Sequence, residues 1–158
     1  MSTIDAGDTA PPFELEDHAG TRVRLRDLRG RWVVLYWYPK DDTPGCTTEA
    51  CEFRDHWQSV SAEADVYGVS PDSLKSHQKF RAKFDLPFPL LSDEGHATAE
   101  SYGVWGLKKF MGRSYMGVER ATFIIDPDGK VARVFRKVKP AGHAAEILEA
   151  LSELKEKG

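Results

Sequence analysis

Residues 32–51 read WVVLYWYPKDDTPGCTTEAC. From Trp32 to Tyr38 every residue is aliphatic or aromatic, on both parities of the chain. A strand of that kind must be covered on both faces. Pro39 stops it. Thr43-Pro44 is then a helix start, with threonine at the N-cap and proline at the first helical position, where its missing N–H costs nothing. The spacing predicts a helix through CTTEACEFRDHWQSV, with Ala50, Phe53 and Trp57 turned inward. A doubly covered strand feeding straight into a helix is the building unit of an α/β protein.

The rest of the chain extends that unit. Ala64 to Ser70 reads as a second buried strand. Asp72 to Phe84 reads as a second helix, with Leu74, Phe80 and Phe84 inward, and FPLLSD gives a short third strand. HATAESYG is a short helix ending at Gly103. KKFMGRSYMG is an irregular surface loop or short hairpin. Ala121–Ile125 and Val131–Phe135 alternate around Pro127-Asp128-Gly129, a hairpin signature. The last eighteen residues form an amphipathic helix with Ile147, Leu148, Leu151 and Leu154 on one stripe. Before the central strand, APPFEL and TRVRL flank the turn DHAG as a small hairpin, and RDLRG holds one helical turn. Strand–helix alternation with right-handed crossovers gives a parallel core. The late hairpin adds antiparallel strands. The expected fold is α/β, a mixed central β-sheet flanked by helices, with an N-terminal β-hairpin addition, in a single domain over residues 1–158.

Composition narrows the partners. The chain has 158 residues, 41% hydrophobic and 30% charged, with a net charge of -3. No basic excess points to nucleic acid or to an anionic membrane. The first residues are polar and acidic, unlike a signal peptide. The longest apolar run is far too short to span a bilayer. A cytoplasmic protein is expected, and in a reducing compartment two cysteines within one decapeptide suggest redox chemistry or a metal.

The two cysteines of the chain are Cys46 and Cys51. With Thr43 as N-cap, Cys46 takes the third helical position, where a capping-box glutamate would sit among unpaired backbone N–H groups. Those donors and the positive end of the helix dipole favour a thiolate. The Thr43 hydroxyl can accept from a backbone N–H while donating to sulfur. Gly45 leaves the approach open. In an intact helix the Cα atoms of Cys46 and Cys51 would lie ~8.6 Å apart, with side chains about 140° apart. A disulfide tolerates at most about 7 Å. Either the two never pair, or the first turns of the helix unwind. The i, i+5 spacing does not converge on one ion, and no matching Cys or His pair appears, so no metal is expected. His56 continues the divergence. His18, His77, His96 and His143 read as surface or cap residues.

YPKDDTPGCTTEAC resembles the active-site segment of the peroxiredoxins, specifically the bacterioferritin-comigratory-protein (Q-type) subfamily. Pro39, Thr43 and Cys46 match its pattern Pro-x-x-x-Thr-x-x-Cys. GDTAPPFEL, SYGVWGLKKFMGRSYMG and ERATFIIDPDGKV resemble other family segments in the right order. Trp37 stands where a smaller aromatic is usual. The resemblance implies a thioredoxin-like fold and a thiol peroxidase for hydrogen peroxide and organic hydroperoxides, with no cofactor. It implies Cys46 as the peroxidatic cysteine and Cys51 as the resolving cysteine. Thr43 and Arg120 would hold thiolate and peroxide, Glu49 would orient Arg120, and Pro39 would shield the site. It further implies a monomer or weak homodimer, recycled by thioredoxin or a similar dithiol protein. A general thiol-disulfide oxidoreductase of the same fold would carry Cys-x-x-Cys, which this chain lacks. A non-enzymatic binding module or holdase chaperone would have thiols no more reactive than free cysteine.

Overall fold

The structure is a computed structural model and describes residues 4–157. The N-terminal hairpin pairs β1 (Glu14–Asp17) with β2 (Arg22–Arg24), and a 3-10 turn follows at Leu25–Leu28. The central strand is β3 (Val33–Trp37), buried at every position. After it come α1 (Pro44–Asp55), α2 (Trp57–Glu63), β4 (Asp65–Ser70), α3 (Leu74–Phe84), β5 (Leu90–Ser92) and α4 (Ala97–Ser101). The chain closes with the hairpin β6 (Trp105–Phe110) and β7 (Arg113–Val118), the hairpin β8 (Ala121–Ile125) and β9 (Val131–Phe135), and α5 (His143–Lys157).

Seven strands form one mixed sheet in the order β2-β1-β5-β4-β3-β8-β9. The pairs β3–β4 and β4–β5 are parallel, and the others are antiparallel. Strand β3 alternates between two cores, as a doubly covered strand must. Val34 and Tyr36 face a cluster with Phe53 of α1, Val60 of α2, Phe80 of α3 and Leu151 of α5. Val33, Leu35 and Trp37 face a second cluster with Phe13, Leu91, Ala99 of α4, Tyr102 and Phe123.

Two expectations change and one open reading is decided. The helix predicted through residue 60 breaks at His56, whose backbone leaves the helical region with φ -99° and ψ 13°. Beyond the bend Trp57 packs on Phe88, ring centroids 5.7 Å apart, while Phe53 meets the same ring at 6.2 Å. Helix α3 begins two residues later than Asp72, because the Ser73 hydroxyl caps it by accepting from the Ser76 N–H, while Asp72 accepts from Ser70 and from the Asp41 N–H. For the segment 108–117, read as a surface loop or a short hairpin, the hairpin reading holds. It is the core of an ordered hairpin separate from the main sheet, turned at Met111 and Gly112, both with positive φ (51° and 78°). Two such residues in a row make the tight turn that matches strand twist.

Candidate active site

Strand register places the site. Trp37 pairs with Ala121, so Arg120, one residue before β8, lies at the same end of the sheet as Tyr38 and the start of α1. Thr43 is the N-cap of α1, in extended conformation, and its carbonyl accepts from the Thr47 N–H at 2.8 Å. Pro44, Gly45 and Cys46 are the first three helical residues.

The Cys46 sulfur accepts from Arg120 Nη2 at 3.2 Å. The other terminal nitrogen of the same guanidinium, Nη1, donates to Glu49 Oε1 at 2.7 Å. Glu49 is one turn beyond Cys46 on α1, and Arg120 forks between them. Both α1 side chains are buried, each residue 1% exposed, and the Arg120 side chain is 15% exposed. Burial pushes the Glu49 carboxyl up to about 7, against the lowering influence of Arg120. Its second oxygen, Oε2, has no hydrogen-bond partner. Burial works against the charge on Arg120, but the neighbouring Glu49 and Cys46 outweigh it and hold the guanidinium above its ordinary value. The site thus combines a fixed cation, a sulfur and a carboxyl that titrates near neutrality.

Three local expectations are corrected. The sulfur is not open to solvent: Cys46 belongs to the core cluster with Tyr36, Tyr38, Ala50 and Phe53. Nor does Gly45 leave a free approach. A Cβ there would lie 3.1 Å from Arg120 Nη2 and 3.3 Å from Pro140 Cγ, so the missing side chain makes room for the arginine. The Thr43 hydroxyl donates to the Lys40 carbonyl at 2.8 Å and makes no side-chain cap bond, because the left-handed turn at Asp42 (φ 55°) brings that carbonyl within reach. Pro39 is half-buried where β3 ends. Cys51 is partly buried, and both cysteines are free on the unbroken helix α1.

Residues that the sequence did not flag surround this core. The segment before α5 closes over the site: Val138 N–H donates to the Arg120 carbonyl at 3.0 Å, and Gly142 N–H donates to Glu52 Oε1 at 2.8 Å. A groove of about 400 Å³ beside Arg120 is lined by Val104, Trp105, Leu107, Lys108 and Glu119. Two histidines expected as surface or cap residues are fully buried, one of them, His143, at the start of α5. His143 bonds Thr122 Oγ1 at 2.7 Å through Nε2 and packs edge-on against Phe53, and burial pushes its ring down. His77 bonds Asp41 at 2.7 Å. No local signal in the sequence marks their burial: Thr122 and Asp41 lie 21 and 36 positions away, and the one near partner, Glu146 at 3.0 Å from His143 Nδ1, is itself exposed. Among the described residues, no helix is long and apolar enough to cross a membrane.

The arrangement is that of a thiol-based redox protein: a cysteine at a helix N-terminus, gripped by an arginine just ahead of a nearby strand. Comparison with known proteins gives the family. The model of the AhpC/TSA family matches residues 6–134. Peroxiredoxin Bcp of Bacillus subtilis is 51% identical over 156 residues, covering 98% of this chain and 99% of that one. Peroxiredoxin Bcp of Escherichia coli is 45% identical over 154 residues, covering 97% and 99%. A solved structure of the Xanthomonas campestris bacterioferritin comigratory protein, described for its alkyl peroxide reduction activity, superposes with a TM-score of 0.87 at 41% identity, covering 94% of this chain and 98% of that one. The chain belongs to the AhpC/TSA family and, within it, to the Bcp or Q-type peroxiredoxins, enzymes that are thiol peroxidases with a thioredoxin-like fold.

Proposed function

We propose that this chain, acting as one domain, reduces hydrogen peroxide and organic hydroperoxides through Cys46. The observation that carries the assignment to Cys46 is the forked contact of Arg120 with the Cys46 sulfur and Glu49. The Cys46 thiolate attacks the distal oxygen of the hydroperoxide. A sulfur–oxygen bond forms, the O–O bond breaks, and the leaving alkoxide or hydroxide takes up a proton as alcohol or water. Sulfur is oxidised to a sulfenic acid. Arg120 and the free N–H groups at the start of α1 face the charge that moves onto the leaving oxygen, which is where preorganised donors lower a barrier. Pro39 keeps bulk water from the sulfur. Thr43, one turn before it, can turn its hydroxyl from Lys40 to the incoming peroxide. The sulfur is closed in, so peroxide enters by displacing part of the cover that Arg120 provides.

Cys51 then resolves the sulfenic acid. The start of α1 unwinds, the Cys51 thiol attacks the Cys46 sulfur, a disulfide forms and water leaves. Thioredoxin or a similar dithiol protein reduces the disulfide by exchange, itself ending as a disulfide. The enzyme works in the cytoplasm as a monomer or weak homodimer. The test is Cys46→Ser followed by peroxide consumption with a thioredoxin system. Turnover should vanish, and retained turnover removes Cys46 from the role.

A further inference from the structure

Among the described residues, the large hydrophobic side chains that stand exposed all belong to one hairpin. They are Leu107, Met111, Tyr115 and Met116, with Met111 86% exposed. Their strands, β6 and β7, pair with each other and with no strand of the main sheet. Leu107 stands opposite Met116 and Lys109 opposite Ser114, so these four share a face, with Met111 at the turn beyond them. Exposed apolar residues scattered singly need no explanation, but a set gathered on one element does.

The hairpin is also cationic. From Trp105 to Val118 it carries Lys108, Lys109 and Arg113 and no carboxylate. Lys108 donates to the Val118 carbonyl at 2.9 Å. Lys109 and Arg113 are exposed and form no ion pair among the described residues. The same hairpin flanks the site. Trp105, Leu107 and Lys108 line the groove beside Arg120, together with the exposed Lys137. Burial first, then the charge of Arg120, pushes the Lys108 ammonium down, while Cys46 opposes them, so the middle of β6 lies within electrostatic reach of the sulfur.

These charges discriminate between occupants. A second copy of the chain, joined face to face about a two-fold axis, would set Lys109 and Arg113 against their own copies. An anionic lipid surface suits the hairpin but repels a chain whose net charge is -3. A dithiol protein is the macromolecule that the proposed cycle requires, and it must bring a sulfur to the groove that the hairpin borders. We propose that the β6–β7 hairpin is the docking surface for the reductant, a dithiol protein whose sulfur is set in an apolar face rimmed by carboxylates: the apolar face seats on Leu107, Met111 and Met116, and the rim meets Lys109 and Arg113. This rests on the reading that a dithiol protein recycles a Cys46–Cys51 disulfide. From that seat the reductant's thiolate attacks one sulfur of the disulfide. The enzyme's S–S bond breaks and a mixed disulfide forms. The reductant's second thiol displaces it, leaving two enzyme thiols and an oxidised reductant. Apolar anchors hold such a complex, and rim charges set the speed of encounter.

The experiment mixes enzyme oxidised by hydrogen peroxide with reduced thioredoxin, or with dithiothreitol, and follows disulfide reduction by stopped flow. The double variant Lys109→Glu/Met116→Thr changes two exposed positions and keeps a strand former at 116. It should slow reduction by thioredoxin at least ~10-fold, while reduction by dithiothreitol and oxidation by peroxide stay within about twofold of wild type. The wild-type thioredoxin rate should fall as salt rises from about 0.05 to about 0.5 M, and Lys109→Glu alone should flatten that dependence. Reduction of the double variant by thioredoxin within about twofold of wild type overturns the docking surface and leaves the recycling step standing. A wild-type rate indifferent to salt also overturns it, and that measurement decides even if the double variant fails to fold. Binding of phosphatidylglycerol vesicles that the double variant loses, with its reduction by thioredoxin unchanged, assigns the hairpin to lipid instead. Failure of thioredoxin to reduce the wild-type disulfide overturns the recycling step and the docking surface together, while the peroxide step at Cys46 stands apart from both.

Discussion

Arg120 Nη2 lies 3.2 Å from Cys46 Sγ although 74 positions separate the two residues. The same guanidinium holds Glu49, so one side chain ties together two successive turns of α1. A planar fork can do this and a point charge cannot. Arg120→Ala should slow the reaction of Cys46 with peroxide by about 10²–10³, the usual loss when a donor aimed at developing charge is removed. Arg120→Lys keeps the charge but loses one arm, and should fall between. Stopped-flow measurement of sulfenate formation under single-turnover conditions checks both. A change of only a few-fold in the alanine variant would mean that the arginine is a structural tether alone.

Glu49 makes stability depend on pH in a direction opposite to that of most carboxylates. Unfolded, its carboxyl titrates near 4.5, and folded near about 7. Between those values the folded chain holds a proton that the unfolded chain has lost. Folding takes up a proton there, and stability falls as pH rises from about 4.5 to about 7, by about 3 kcal/mol in all. Glu49→Gln keeps the shape and abolishes the titration. Urea unfolding at several pH values should show wild type losing this stability and the variant keeping it. Parallel curves for the two proteins would show that Glu49 stays ionised in the fold.

The same residues show what a sequence can and cannot reveal. The order of strands and helices was legible because β3 is apolar on both parities and α1 opens with Thr43-Pro44, both local facts. Cys46 was legible for the same reason. The break at His56 was not, because it depends on how Phe53 and Trp57 reach one ring, Phe88, from another part of the chain. The burial of the Cys46 sulfur is not legible, because Arg120 comes from the residue before β8 and Pro140 from the segment before α5, distant parts of the chain that the fold brings together. Arg120 and Glu49 entered by resemblance to a family, while the joint contact that links them to Cys46 is a product of register, Trp37 opposite Ala121. The imidazole of His77 looked like a surface group because nothing within one helical turn announces Asp41.

Cys51 lies on the same unbroken helix as Cys46. At i, i+5 the Cα atoms are ~8.6 Å apart, beyond the reach of a disulfide. Cys51→Ser should therefore leave the first oxidation intact, giving one equivalent of sulfenate per chain. Thioredoxin-supported cycling should drop to a small fraction of wild type. In wild type, closing the disulfide should lower the far-ultraviolet helix signal and change tryptophan emission, since Trp57 begins the helix next to α1 and Trp37 ends β3. Spectra that stay constant while the disulfide forms would require the sulfurs to meet without unwinding, which helix geometry forbids.

Gly45 separates the demands of stability from those of the site. A Cβ at this position would come 3.1 Å from Arg120 Nη2, the nitrogen that holds the sulfur, and 3.3 Å from Pro140 Cγ. The arginine end is flexible and can retreat by a few tenths of an ångström, so Gly45→Ala should fold. Alanine favours the helix by up to about 1 kcal/mol over glycine, which offsets the crowding. The displacement falls on the contact on which the proposed chemistry relies: a hydrogen bond of 3.2 Å to sulfur lengthens and loses its aim. Net stability should change by less than about 1 kcal/mol while the peroxide rate falls about 10-fold, because a small misplacement in a preorganised site is costly to rate. Thermal unfolding and stopped-flow kinetics on the one variant check the two halves together. Equal losses in both would mean that the crowding is relieved by the backbone of α1 rather than by Arg120.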